Sequence, residues 1–145
     1  MIKLVIFDLD GVLIEAKEIH YETLNQAIFT VTKNSEMVIG WDEHLSTYDG
    51  LKTNEKLEML TNRNGLEASL HHSIWKLKQE LTLRELSNIP QDSRLQSLFA
   101  QLKADNYLIA CCSNSIRRSV LTMLSKLGLI EYVDLIISNE DVKNS

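Results

Sequence analysis

The opening stretch, Met1-Ile2-Lys3-Leu4-Val5-Ile6-Phe7-Asp8-Leu9-Asp10-Gly11-Val12-Leu13, constrains the fold more than any other part of the chain. Leu4 to Phe7 is a short unbroken apolar run with β-branched residues in the middle. Such a run suits a strand of a parallel sheet, buried on both faces with helices above and below. Asp8 and Asp10 follow it. Residues two apart in extended backbone project to the same side. Both carboxylates therefore leave the C-terminal end of the strand together, where open α/β sheets bind their ligands. Gly11 then lets the chain turn at little steric cost.

Two like charges this close call for a proton or a cation between them. Mg²⁺, a hard ion that takes oxygen ligands, would serve. The pair thus suggests a carboxylate nucleophile with a neighbouring acid/base, working beside a metal. Asp is also common in turns, so a bare Asp-x-Asp can simply end a strand. The full string Phe7-Asp8-Leu9-Asp10-Gly11-Val12-Leu13 is more specific. It resembles the first motif of the haloacid dehalogenase superfamily, in the phosphatase and phosphoglucomutase-like branch that carries a helical cap after this motif.

The rest of the chain reads as alternating elements. A helical pattern runs from Glu15 to Val31, with Ile19, Leu24, Ala27, Ile28 and Val31 mostly on one face. Thr53 is a plausible N-cap for a helix carrying Leu57, Met59 and Leu60, which Asn62 to Gly65 stops. Leu66 to Leu86 holds another helical pattern. Asp92 to Asp105 is amphipathic through Leu95, Leu98, Phe99 and Leu102, and Asn106 ends it. Tyr107 to Cys112 is a second strand, Ile116 to Leu127 a helix closed by Gly128, and Val133 to Ile137 a third strand. This order predicts an α/β fold, a Rossmann-like parallel sheet with helices on both faces. The helical block from Glu15 to Asn88 far exceeds the dozen residues that a crossover needs, so it reads as an inserted all-α subdomain. The expected organisation is a core of residues 1–14 and 89–145 and a helical cap of residues 15–88.

A second constellation sits after the second strand. Ser113-Asn114 lies between a strand end and a helix N-terminus, where free N–H groups and the helix dipole favour a phosphate. Ser115 could simply cap the helix. A strand ending in Ser-Asn, at this place in chain order, resembles the second motif of the same superfamily. The resemblance implies phosphoryl transfer through an aspartyl-phosphate on Asp8, with Asp10 as acid/base. It also implies Mg²⁺ on the Asp8 carboxylate and the Asp10 backbone carbonyl, and a phosphoryl group held by Ser113 and Asn114. The implied substrate is a small phosphorylated metabolite, a phosphate monoester of the sugar phosphate or phosphoglycolate type. A β-phosphoglucomutase-like phosphomutase is the alternative within the superfamily. The mutases that resemble this chain carry an arginine after the cap glycine, whereas Gly50 is followed by Leu51-Lys52-Thr53-Asn54. From the cap side, Lys52, Lys56 and Arg63 could meet an anionic substrate, and His20 could line the cleft.

Composition narrows the function classes. The net charge of −5, from 15 basic and 20 acidic residues, argues against a nucleic-acid partner. No apolar run reaches the length of a membrane span, and no signal peptide precedes Asp8. Cys111 and Cys112 are the only cysteines, with no disulfide or zinc spacing, and they read as small buried residues of a cytoplasmic protein. A monomer or weak dimer is expected. The resemblance runs almost to Ser145, and the chain ends before the lysine and the last acidic motif of the superfamily. The C-terminal part of the core is thus expected to be missing, leaving the first strand as an edge with an exposed apolar row. Lys143 is the nearby cation that could substitute for the lysine. A remnant of weak or no activity is the reading from a different class.

Overall fold

The computed structural model describes residues 1 and 3–143. The chain forms two compact units: Met1–Lys17 together with Leu83 onward, and Glu18–Thr82.

The first unit is α/β. Strands β1 (Lys3–Asp8), β2 (Tyr107–Cys112) and β3 (Leu135–Ile137) form one parallel sheet in the order β1-β2-β3. The register pairs Asp8 with Cys112, so the end of β1 lies level with the end of β2. Helix α5 (Ser93–Ala104) lays Phe99 on Phe7 of β1, the rings stacked with centroids 4.8 Å apart. It begins where Asp92 accepts hydrogen bonds from the Arg94 and Leu95 N–H groups, at 3.0 and 3.1 Å, and so satisfies two orphan donors. It ends as predicted, the chain turning through Asn106 in the left-handed region. Helix α6 (Arg117–Leu127) buries Val120, Met123, Leu124 and Leu127, a spacing that fits one helical face. Gly128, with φ 78°, closes it.

Two expectations about the strands change. The third strand starts at Leu135 rather than Val133, because Asp134 makes its own connection to β2. Its N–H donates to the Ile109 carbonyl and its carboxylate accepts from the Ile109 N–H, both at 2.8 Å. Lys103 Nζ lies 2.7 Å from the same carboxylate and, with that N–H, holds its pKa below the usual range. The first strand, in turn, is not buried on both faces. Leu4 is 51% and Ile6 61% exposed, and by register they share a face with Leu108 and Leu135, also exposed. β1 is nonetheless the edge strand with an exposed apolar row that the sequence also predicts, and among the described residues nothing pairs beyond it. The exposure belongs to a whole sheet face, since Leu108 of the central β2 shares it. The run that is buried throughout is Ile109-Ala110-Cys111 in β2.

The second unit is helical. It contains α1 (Lys17–Thr32), the short α2 (Trp41–Glu43) running into a single π-turn at His44–Tyr48, α3 (Thr53–Asn64) and most of α4 (His71–Leu86). Leu24, Ala27 and Ile28 of α1 pack with Ile39, Tyr48, Leu57, Leu60, Leu66, Ile74 and Leu81 in one apolar core. Thr23 and Thr82 hydroxyls meet inside the unit at 2.9 Å. Asn25 clasps the loop after α1 with a bond from its amide to the Ile39 carbonyl and a second from the Ile39 N–H, at 2.8 and 2.9 Å. Thr53 is the first residue of α3 and not its cap. Lys52 holds the cap position, and the Glu55 carboxylate accepts from the Lys52 N–H at 2.7 Å.

Candidate active site

The geometry around Asp8 and Asp10 follows from the residue between them. Leu9 is fully buried and anchors the turn that leaves β1. Its carbonyl accepts from the Leu13 and Ile14 N–H groups at 3.0 and 3.1 Å, and the Gly11 N–H returns to the Ile14 carbonyl at 2.7 Å. Gly11 sits at φ 78°, a conformation that costs other residues strain. Burying Leu9 turns its two neighbours the other way, so Asp8 is exposed and Asp10 half-buried. The Leu9 N–H donates to Asp8 Oδ1 at 2.7 Å.

The second segment arrives at the same strand ends. The Ser113 N–H donates to the Ile137 carbonyl at 2.9 Å, which extends the β2–β3 ladder by one rung. Ser113 Oγ then lies 3.3 Å from Asp10 Oδ2, and Ser115 Oγ lies 3.5 Å from the same oxygen. The Ser115 N–H donates to Ser113 Oγ at 3.1 Å, and the Asn139 N–H donates to the Ser115 carbonyl, also at 3.1 Å. Asn114 is exposed, and its N–H bonds to none of the described residues. The fold thus brings Asp8, Asp10, Ser113 and Asn114 to one end of the sheet.

The expected phosphate cradle is narrower than the sequence suggests. Ser115 does not cap α6: Ile116 holds the cap position and makes no side-chain cap bond. The first N–H of α6, that of Arg117, donates to Glu140 Oε2 at 2.6 Å, so a carboxylate already sits at the helix start. Neighbouring Asp141 bonds to Arg117 Nη2 at 2.5 Å and to the Ser138 N–H at 2.7 Å. The Arg117 guanidinium, with the Ser138 groups, holds the Asp141 carboxyl down at about 2. Both acids tie the loop after β3 to α6. The Asn114 N–H stays available to an anion, and the Ser113 hydroxyl reaches one by leaving Asp10.

The other candidates come from other segments of the chain. Lys143 is exposed and follows the tethered loop, while the last two residues of the 138–145 segment lie outside the described residues. His20 and Lys52 belong to the second unit. His20 Nδ1 lies 3.2 Å from Nζ of Lys78, a lysine only 7% exposed that nothing in the sequence pattern marked. Ser115 was visible two positions after Ser113, but as a helix cap. Burial pushes the Cys111 thiol up to about 12, so it stays protonated and is no nucleophile.

Mg²⁺ suits these donors. Asp8 offers a carboxylate and Asp10 a backbone carbonyl, both hard oxygens, and Mg²⁺ commonly takes one or two carboxylates with the rest of its shell from water and phosphate. Among the described residues no set of three His, Cys, Asp or Glu side chains converges, so an all-protein cage of the zinc type does not fit.

Comparison with solved structures shows the same fold in several proteins. CbbY from Rhodobacter sphaeroides, crystallised with xylulose-(1,5)bisphosphate, superposes with a TM-score of 0.84 at 18% identity, covering 100% of this chain and 67% of that one. A β-phosphoglucomutase from Clostridium difficile gives 0.77 at 21% identity, covering 100% and 65%. A family IA hydrolase from Entamoeba histolytica gives 0.76 at 20% identity, covering 100% and 64%. The chain thus spans about two thirds of the length of these proteins. No curated protein matches it in sequence. The family profile described as haloacid dehalogenase-like hydrolase matches residues 5–145, from within β1 through the loop after β3, and the chain belongs to that family.

Proposed function

We propose that this hydrolase is a Mg²⁺-dependent phosphatase that acts on small phosphate monoesters through an aspartyl-phosphate. The observation that supports the reading most is the meeting of the Ser113 hydroxyl with Asp10 at 3.3 Å, at the strand end that also carries Asp8. Asp8 is exposed and attacks phosphorus in line with the leaving oxygen. Asp10 gives a proton to that oxygen as it departs, then takes one from the water that hydrolyses the acyl phosphate. The Ser113 hydroxyl and the Asn114 N–H donate to the phosphoryl oxygens, where negative charge is greatest. Mg²⁺ at the Asp8 carboxylate and the Asp10 carbonyl would supply the positive charge that this crowd of anions needs. Lys143 is a further candidate cation for the phosphate.

In this reading residues 15–88 act as a cap that selects the substrate, with Lys52 and His20 as its candidate contacts. The substrate class is a sugar phosphate or phosphoglycolate in the cytoplasm. The test is release of inorganic phosphate from a panel of phosphate esters. Turnover is expected with Mg²⁺, to stop with EDTA and to be lost in Asp8→Asn. Turnover that survives Asp8→Asn would remove Asp8 as the nucleophile.

A further inference from the structure

We infer that Ser115 is the positioning residue that keeps Asp10 in place when Ser113 turns to its phosphate. This rests on the phosphatase reading for its chemistry, but the geometry stands by itself. A serine hydroxyl has one proton to donate. In the structure the Ser113 hydroxyl points at Asp10 Oδ2, while its lone pair accepts from the Ser115 N–H. If that proton goes to a phosphoryl oxygen, Ser113 no longer donates to Asp10. Of the two hydroxyls on Oδ2, Ser115 then remains.

Its backbone is well placed for the task. The Ser115 N–H is fixed on Ser113 Oγ and its carbonyl accepts from Asn139, so both peptide groups around it are engaged. Its side chain does not cap α6, the duty that would otherwise explain a serine before a helix, since Ile116 holds that position. The 3.5 Å separation from Oδ2 is long for an O–H···O bond, and Ser115 holds Asp10 only if it shortens once Ser113 withdraws. Tethering at Asn139 places Ser115 under the control of the loop after β3, whose Glu140 and Asp141 are held by Arg117.

The test uses the full chain with Ser115→Ala and Ser115→Thr, each made in a Ser113→Ala background that removes the Ser113 donor as a phosphate would. Crystal structures of Ser113→Ala and of the two double variants read the Asp10 side chain directly. In Ser113→Ala/Ser115→Ala the Asp10 carboxylate is expected to leave its position or to split between two rotamers, and Ser113→Ala/Ser115→Thr keeps the single position. An Asp10 that stays fixed in Ser113→Ala/Ser115→Ala overturns the inference, whether or not the chain turns over any ester. Kinetics give the second readout. Loss of one hydrogen bond to a charged group predicts about a tenfold fall in kcat for Ser115→Ala, with KM little changed and recovery in Ser115→Thr. A fall in affinity with kcat intact would mean that Ser115 holds substrate instead, and would also overturn it. Absence of phosphate release by the parent would refute the phosphatase reading while the crystallographic comparison still decides this one.

Discussion

Replacing Leu9 with alanine tests whether the turn that carries both aspartates hangs on one buried side chain. Leu9 is fully buried and its carbonyl closes the turn to Leu13 and Ile14. Removing a buried leucine side chain costs its transfer energy plus a cavity term, about 3 kcal/mol for a site that collapses only in part. At about 2–4 °C per kcal/mol for a chain of this size, Tm falls by about 6–12 °C. Val12→Ala is the control. Val12 lies in the same turn but is 61% exposed, and its loss should stay within about 0.5 kcal/mol. Leu9→Ile, which conserves volume, should cost less than about 1.5 kcal/mol. Scanning calorimetry measures the shifts. Both tryptophans, Trp41 and Trp75, lie in the second unit, so their fluorescence does not report on Leu9 locally. Hydrogen exchange of the β2 amides does, and should quicken in Leu9→Ala. A Tm loss no greater than that of Val12→Ala would refute the account of the turn.

Three further outcomes follow from the same geometry. Asp141 has a depressed pKa in the folded chain, so its tether contributes above about pH 4, the ordinary carboxylate value, and is lost as pH falls through about 2; the protection factor of the Ser138 amide, its exchange relative to the unfolded chain at the same pH, should fall across that window and stay level above it. Asn25→Ala leaves the N–H and carbonyl of Ile39 without their clasp and should cost about 1–3 kcal/mol, read by urea unfolding followed with tryptophan fluorescence. Cys111 should resist iodoacetamide at neutral pH while the chain is folded and react in denaturant, as mass spectrometry of the 107–112 peptide would show.

Local signals carried much of the fold. Tyr107 to Cys112 is the strand its composition predicts, and Asn106 and Gly128 mark helix ends because the left-handed conformation is cheapest there for Asn and Gly. Signals that depend on partners were less legible. The apolar run of β1 looks buried on both faces by composition, yet one face is exposed together with Leu108 of the central β2 and Leu135 of β3, because what covers a sheet face is set by other segments. Asp134 shortens β3 through contacts to Ile109 and Lys103, which no local pattern reveals. The π-turn at His44–Tyr48 is closed by a bond from the Asp49 N–H to the His44 carbonyl, at 2.8 Å, a spacing that no local apolar pattern marks. At the site, Asp8, Asp10 and Ser113 were readable as a motif. The engagement of Ser115 with Asp10 and of Glu140 with α6 was not, because each joins segments far apart in sequence.

The proposed chemistry turns on phosphorylation of Asp8. The most direct measurement is to incubate the chain with Mg²⁺ and a reactive phosphoryl donor such as acetyl phosphate, quench in acid, and map the modified peptide by mass spectrometry. The account predicts one phosphoryl group on Asp8, absent in Asp8→Asn and longer-lived in Asp10→Ala, where the water loses its base. Ester turnover accompanied by a label on any other residue, or by none while Asp10→Ala blocks hydrolysis, would contradict it.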